Sequence, residues 1–209
     1  IEYVATAYPK WKAGLYNEFC YKNFTLSVLL DGQVGGKMYS HSHHKMTEQG
    51  KLAHTLNGRL PGTEFYMSKD DPRIATAGLS PQDGMYMIAP GVVKNDDGSF
   101  SKNTKVVTVE SYYKEYYRMA NVETNTFSTD FLKLREMRLE YKLPGSTLKK
   151  TPFSKASIAF YARNLFCITD YPLFDPESAA LNGSSMVTGV ETGSLPTART
   201  FGLNINLSF

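Results

Sequence analysis

The last ten residues of the chain alternate strictly between apolar side chains and small or polar ones. From Thr200 they read TFGLNINLSF, with apolar residues at every odd position from Phe201 to Phe209. This period-2 alternation predicts a β-strand with one apolar and one polar face. The run has about the ~10 residues that a tilted transmembrane strand needs. A soluble edge strand with this apolar face would promote aggregation, so the pattern favours a membrane-facing strand.

Four further segments alternate in the same way, and turn residues such as Pro144-Gly145 separate them. The alternation breaks once, because Leu132 and Leu134 share the parity of the charged residues that follow them. This break predicts a β-bulge near Arg135, or an upper part of the strand that projects above the membrane. The predicted strands lie near residues 11–20, 24–36, 131–143, 154–166 and 198–209.

The connections between these strands are alternately short and long. Residues 39–129 and 167–197 are rich in Gly, Pro, Asn and Asp, and we expect long loops there, with short helices near 46–56 and 109–119. An up-and-down barrel with short periplasmic turns and long outer loops requires such alternation. The terminal strand follows a long outer loop, which places the C-terminus on the periplasmic side.

Composition narrows the class of protein. No stretch approaches the ~18 apolar residues of a membrane helix. Aromatic residues make up 13% of the chain, which suits interfacial girdles as well as loops that bind carbohydrate or peptide. The 23 basic and 20 acidic residues give a net charge of +3, which predicts no nucleic-acid partner.

The chain begins with Ile1 and shows no signal-peptide pattern, so we expect it to be a piece of a longer protein. The five predicted strands are fewer than the ~8 of the smallest single-chain barrels. We therefore do not expect this piece to close into a barrel by itself.

Several motifs in order along the chain resemble SusC-type (SusC/RagA) TonB-dependent transporters of Bacteroides-like bacteria. They are the hairpin around Tyr21-Lys22-Asn23-Phe24 with Asp31-Gly32, Gly35-Gly36 and Tyr39, the run from Asp130 to Pro144, the segment Asn164-Leu165-Phe166 with Phe174-Asp175-Pro176-Glu177, and the ending from Pro196 to Phe209. The likeness spans nearly the whole chain and is weakest in residues 60–110.

This resemblance implies an all-β fold. The chain would supply the C-terminal antiparallel strands of a transmembrane barrel of about 22 strands, of the kind with a plugged lumen. It also implies an outer-membrane importer of oligosaccharide or peptide cargo. A SusD-like surface lipoprotein would act as its lid, and the TonB complex would energise it through an N-terminal part that this chain lacks. Outer-membrane lipid would surround the strands.

Two sets of side chains are candidates for contact with cargo or with other parts of such a protein. Tyrosine rings can stack on sugar rings or on peptide side chains, but they can equally pack a loop onto the barrel rim; the candidates are Tyr112, Tyr113, Tyr116 and Tyr117. Polar side chains on the inward face of the strands are expected to line a lumen, where they contact a plug, each other or cargo. These candidates are Glu136, Arg138, Glu140, Tyr161 and Arg163.

Metal, cofactor and catalytic sites are not expected. His41, His43 and His44 crowd one segment, but no carboxylate stands at a convincing spacing, so a solvated loop is the simpler interpretation. Asn95-Asp96-Asp97-Gly98 lacks the closing Glu of a calcium loop and predicts a plain turn. No nucleophile–base pair or phosphate-binding loop is recognisable, and we expect a protein that is not an enzyme.

The two cysteines and the apolar strand faces give two expectations that a structure can test. Cys20 and Cys167 are predicted at opposite rims of the barrel, too far apart for a disulfide. The alternative to a transporter is a soluble or surface all-β module, such as an adhesin that binds glycans. In that case the apolar residues 201–209 would pack against a second sheet instead of facing lipid.

Overall fold

The computed structural model describes residues 4–82, 84–149, 151–173, 175–178, 180–182 and 185–209. Ile1 and Phe174, which appear in the sequence interpretation, lie outside the described residues. The chain forms two compact units. We call Ile1–Met38 with Phe127–Phe209 the strand unit, and Tyr39–Thr126 the insert unit.

Most of the regular structure is β-strand, with a few short helices, so the expectation of a mainly β fold is confirmed. The strands are β1 (Trp11–Tyr21), β2 (Phe24–Val34), β3 (Lys37–Ser40), β4 (Tyr86–Ile88), β5 (Val92–Lys94), β6 (Phe100–Lys102), β7 (Val106–Thr108), β8 (Thr126–Ser128), β9 (Phe131–Lys142), β10 (Lys155–Thr169), β11 (Ala180–Asn182), β12 (Ser185–Val187), β13 (Val190–Glu191) and β14 (Thr200–Ser208). The helices are α1 (His41–Glu48), α2 (Pro72–Thr76), α3 (Val109–Tyr116) and α4 (Gly145–Leu148), with 3₁₀ turns at Ala53–Leu56 and Val122–Asn125. Among the described residues, no helix is both long enough and apolar enough to span a membrane.

The five long strands form one antiparallel sheet in the order β1-β2-β9-β10-β14. Residues that pair across neighbouring strands share a face of the sheet. Ile205 of β14 pairs with Ile158 of β10, and Ile158 pairs with Tyr141 of β9. The register therefore joins the apolar faces of separate strands into one surface. On this apolar face lie Leu15, Phe19, Leu26, Val28, Met137, Leu139, Tyr141, Ile158, Phe160, Phe201, Leu203, Ile205 and Leu207.

The phase break within β9 is a β-bulge. Leu29 of β2 pairs with Glu136, whereas the next residue, Leu30, pairs with Leu134, so Arg135 is the extra residue on β9. The bulge predicted near Arg135 is confirmed. It returns Leu134 to the apolar face, because one additional residue in a strand reverses the side on which the following side chains lie.

The insert unit has its own apolar core, although the sequence predicts a long loop there. One cluster consists of Met67, Ile74, Tyr86 and Val106, and a second consists of Met87, Val109 and Tyr113. Strand β4 pairs with β7, and the hairpin of β5 and β6 is built on Asn95–Ser99. The segment is therefore a folded unit of small elements.

Capping residues set the helix bounds in the insert unit. Helix α1 begins at His41 because the Ser40 side chain accepts a hydrogen bond from the backbone N–H of His43 at 3.0 Å. Helix α3 begins at Val109 after the equivalent cap by Thr108. The expected helix bounds 46–56 and 109–119 are therefore wrong, since α1 starts and ends earlier and α3 ends at Tyr116.

Candidate functional site

The five residues proposed to face a lumen lie together on the polar face of the long sheet. Arg163 of β10 pairs with Glu136 of β9, and its Nε lies 2.8 Å from the Glu136 carboxylate. Arg138 pairs with Glu140 at 3.0 Å, and the Ser157 hydroxyl donates to Glu140 at 2.7 Å. The charged side chains therefore form ion pairs with one another across the polar face of the sheet.

Tyr161 takes a different position on this face. It pairs with Gly202 of β14, and a Cβ built on Gly202 would lie 2.4 Å from the Tyr161 ring. The ring therefore covers the glycine, and the Arg163 guanidinium lies 5.4 Å from the ring centroid. Gly202 leaves room for an aromatic side chain on the polar face of the outermost described strand.

A second group of charges lies at the start of β9, near the segment that follows β10, and sequence reasoning missed it. Lys133 is 2% exposed, and its ammonium contacts Asp175 at 2.6 Å and Glu177 at 2.5 Å. Arg135, the bulge residue, contacts Glu177 at 2.5 Å and Asp31 of β2 at 2.7 Å. Five charged side chains from β2, β9 and the segment after β10 thus hold that segment against the sheet.

Asp175 is the centre of this group. Burial by itself would raise its pKa, but hydrogen bonds from the Lys133 ammonium and the Thr197 hydroxyl outweigh burial and hold the pKa at about 2. The backbone N–H groups of Glu177 and Thr197 also donate to the carboxylate. The Asp175 carboxylate therefore links Glu177, which precedes β11, to Thr197, which follows β13. The sequence Asp175-Pro176-Glu177 was the signal that could have indicated a partner for the basic residues of β9.

The four candidate tyrosines of α3 and its end are not equivalent. Tyr113 is buried, and its hydroxyl donates to the backbone oxygens of His54 and Asn57 at 2.7 and 3.1 Å. Tyr116 is 48% exposed, and its ring stacks on Tyr112 with centroids 5.4 Å apart and planes 10° from parallel. Tyr117 stacks on the His54 ring. Tyr116 is therefore the exposed ring of the four, and it stacks on Tyr112, which is partly buried against the core cluster.

The histidines do not form a solvated loop, and that expectation is wrong. His43 and His44 lie in α1 with 6% and 3% exposure. Burial lowers the pKa of both imidazoles. The His43 Nδ1 lies 2.9 Å from the Asn125 amide oxygen, and the His44 Nδ1 lies 3.1 Å from the Tyr39 hydroxyl. These side chains are polar members of the interior, because each has a hydrogen-bond partner there.

Other candidate sites are structural in the part of the chain that is described. Asn95 to Gly98 form the turn of the β5–β6 hairpin, where the Asp97 carboxylate accepts from the Ser99 backbone N–H at 2.8 Å. No group of three metal-binding side chains occurs among the described residues. Cys20 and Cys167 are both free and exposed, and they lie at opposite ends of the long sheet, beside Thr25 and Lys133 respectively.

The apolar face distinguishes between the two classes of protein considered from the sequence. Phe201, Leu203 and Ile205 are 60%, 68% and 64% exposed. A soluble module would cover these side chains with a second sheet, whereas the described residues leave them open. One exposed apolar face and one polar, ion-paired face are the properties of outer-membrane barrel strands.

Comparison with known proteins supports this class. TonB-dependent receptor P3 of Formosa agariphila is 23% identical over 205 residues, which cover 96% of this chain and 16% of that receptor. No family model matches. The resemblance to SusC-type TonB-dependent transporters is confirmed, and the chain spans less than a fifth of the length of the relatives that it matches.

Solved structures show the same fold. The RagAB peptide importer in its open-open state matches with a TM-score of 0.58 and 19% identity, over 98% of this chain and 18% of that chain. The closed-closed state of the same importer matches with a TM-score of 0.58 and 18% identity over the same shares.

Proposed function

We propose that this chain is the C-terminal barrel part of a TonB-energised importer in the bacterial outer membrane. Its cargo would be oligosaccharide or peptide, and a SusD-like surface lipoprotein would serve as its lid. The observation that carries this proposal is the continuous exposed apolar face of the five-stranded sheet, opposite a face of paired charges. Lipid would cover the apolar face, and Glu136, Arg138, Glu140, Tyr161 and Arg163 would face the lumen.

The connections support an orientation in the membrane. Two residues link β1 to β2, and residues 143–154 link β9 to β10, all at one end of the sheet. The long segments 35–130 and 170–199 leave from the other end. We assign the short links and the C-terminus to the periplasm, because long barrel loops lie outside the cell.

The free cysteines provide a test of this orientation. A membrane-impermeant maleimide added to intact cells is expected to label Cys167, at the end of the long segments, and to leave Cys20 unlabelled. Cys167→Ser should abolish the labelling, and Cys20→Ser should not change it. Labelling of Cys20 but not Cys167 in intact cells would contradict the orientation.

Recognition of cargo or lid is assigned to residues 39–129 together with 167–197. Interface free energy concentrates in a few aromatic and arginine side chains, and Tyr116 offers an exposed ring that is supported by its stack on Tyr112. Tyr117 supports them from its stack on His54, whereas Tyr113 contributes mainly by holding α3 to the preceding 3₁₀ turn.

The experiment is the double variant Tyr112→Ala/Tyr116→Ala in cells that depend on uptake. Uptake or association with the lipoprotein is expected to fall by about tenfold or more, since hot-spot rings each contribute roughly 2 kcal/mol or more. The amount of transporter in the outer membrane should stay normal, because these rings lie outside the sheet.

Tyr66→Ala is the matched control, because Tyr66 is a 38% exposed tyrosine of the same unit that does not belong to the four candidates. Replacement of all four rings tests the complete set. Unchanged uptake and unchanged lid association after that replacement would show that the rings only pack the segment.

A further inference from the structure

The insert unit contains a cleft of about 650 Å³ that the proposed function does not use. Its walls come from the end of α1, the first 3₁₀ turn, the entry to β4 and the start of α3. Small-molecule sites commonly have volumes of ~300–1,000 Å³ and combine an apolar lining with a few polar groups. The volume of this cleft lies within that range, and its lining contains both apolar and polar side chains.

Arg59 is the unusual side chain of this cleft. It is half-buried, and one of its N–H groups donates to the Gly50 carbonyl oxygen at 3.1 Å. Arg73 and Arg118 of the same unit contact carboxylates at 2.6 and 3.1 Å. Arg59 has no carboxylate within salt-bridge distance among the described residues. A guanidinium has five N–H donors in a planar fork, so most of the donors of Arg59 remain available.

The other charges along the cleft balance one another. Lys114 contacts Glu110 at 2.5 Å, and Glu48 contacts Lys45 at 2.8 Å. Lys45 lies outside the lining, so Arg59 is the charged side chain of the lining for which no ion pair is seen among the described residues. A guanidinium fork matches a planar carboxylate in two parallel hydrogen bonds. A ligand group with two negative charges would fit less well. The carboxylates of Glu48 and Glu110 in the lining would repel it, and Arg59 alone would attract it.

Apolar side chains border part of the cleft, beside the polar side chains of Thr47, Gln49, Thr55 and Thr108. Val109 and the Tyr113 ring belong to a buried cluster, and Met85 is 50% exposed where it borders the cleft. A ligand anchored at Arg59 would place an adjoining apolar group against these side chains. Methionine adapts to different shapes because it is unbranched and flexible.

We propose that this cleft binds a carboxylate-bearing ligand with an apolar group beside the carboxylate, and that Arg59 is its anchor. The carboxylate could come from the C-terminus of a peptide or from a uronic acid of an acidic glycan. The inference goes beyond the proposed function, because it requires only binding by the insert unit and does not depend on uptake.

The test is calorimetric titration of the purified full-length gene product in detergent. N-acetyl-phenylalanine is one probe and N-acetyl-phenylalaninamide is its uncharged partner; glucuronic acid and glucose form the second pair. At least one acid is expected to bind, with its uncharged partner about tenfold or more weaker, since hydrogen bonds to charged groups are the strong ones. The pair that shows the difference identifies the source of the carboxylate.

Arg59→Gln is expected to weaken binding of the acid by about tenfold or more. Arg118→Gln is the matched control, because Arg118 is an arginine of the same unit that does not line the cleft. Arg59→Gln also removes the bond to Gly50, so thermal unfolding of each variant is measured in parallel. Met85→Glu is the second variant, since it adds a carboxylate to the cleft wall without touching that bond.

Binding of neither acid at millimolar concentration would overturn the proposal, as would equal binding of an acid and its uncharged partner. Binding that survives both Arg59→Gln and Met85→Glu would also overturn it. These measurements need no transport, so loss of uptake in cells with normal titration curves would count against the proposed function alone.

Discussion

Replacing Lys133 with alanine is expected to release the segment 170–178 from the sheet, at a cost of ~3–5 kcal/mol. The reason is that Asp175 is 5% exposed and would keep its charge without the ammonium that compensates it. Breaking a buried pair on one side costs far more than the net contribution of the pair. Amide hydrogen exchange at Glu177 and Thr197, whose N–H groups bond to Asp175, measures the release.

Lys142→Ala is the matched control, because Lys142 is an exposed lysine of the same strand. It is expected to leave exchange in the segment unchanged. If Lys133→Ala also left exchange unchanged, the charged group would not hold the segment.

The pair of Lys133 and Asp175 also predicts that stability depends on pH more strongly in the native chain than in the Lys133→Ala variant. In the native chain, the pKa of Asp175 is lowered to about 2. The stability that this shift contributes is fully present above the ordinary pKa of aspartate, near 4, and is lost as the pH falls through about 2. Without Lys133, the pKa of Asp175 is lowered less, because the hydrogen bonds from the Thr197 hydroxyl and the Glu177 N–H remain and the ammonium is lost. The loss of protection as the pH falls should then be smaller than in the native chain, which hydrogen exchange at several pH values can detect.

Ile205→Arg is expected to destabilise the transporter by ~2–4 kcal/mol if this position lies near the bilayer midplane. Ile205 is 64% exposed on the apolar face, opposite Ile158. A guanidinium there would lose its hydration in hydrocarbon, whereas the same group facing a polar lumen would keep it. Urea unfolding in lipid vesicles and the heat-modifiable mobility of the folded barrel measure the effect.

Asn204→Arg is the control, because Asn204 is the neighbouring residue on the opposite face of the same strand. It is expected to change stability by a small fraction of that amount. Equal costs for the two variants would contradict the assignment of the odd positions to lipid.

Local sequence patterns did not predict the fold of the insert unit. Its elements are three to eight residues long, too short for a period of 2 or 3.6 residues to repeat clearly. Residues 39–129 therefore predict a loop, while contacts between distant residues give the unit its core. The bond from the Tyr113 hydroxyl to His54 spans 59 residues. The burial of His43 and His44 has the same origin, since the partner of His43 is Asn125, 82 residues along the chain.

For the candidate sites too, the sequence predicts some of the residues, and the tertiary structure determines their partners. The sequence identifies the polar strand residues from Glu136 to Arg163 by parity alone, but their pairing as Glu136–Arg163 depends on the register. Lys133 shares the parity of the apolar residues that follow it, and only the bulge at Arg135 and the return of Asp175 and Glu177 after more than 40 residues place it in an ion-paired group. Arg59 is an isolated arginine in the sequence, and the cleft around it exists only in the folded unit.

The sequence by itself determined the long strands and their two faces, because these depend on alternation between neighbouring residues. The break in phase at Leu134 left two explanations open, and the register with β2 showed that it is a bulge at Arg135. Tertiary structure decided the partners of Lys133, His43 and Tyr113, and the free donors of Arg59. These depend on which distant segments meet, and the free energy of those meetings is a sum over many packed contacts that no local pattern records.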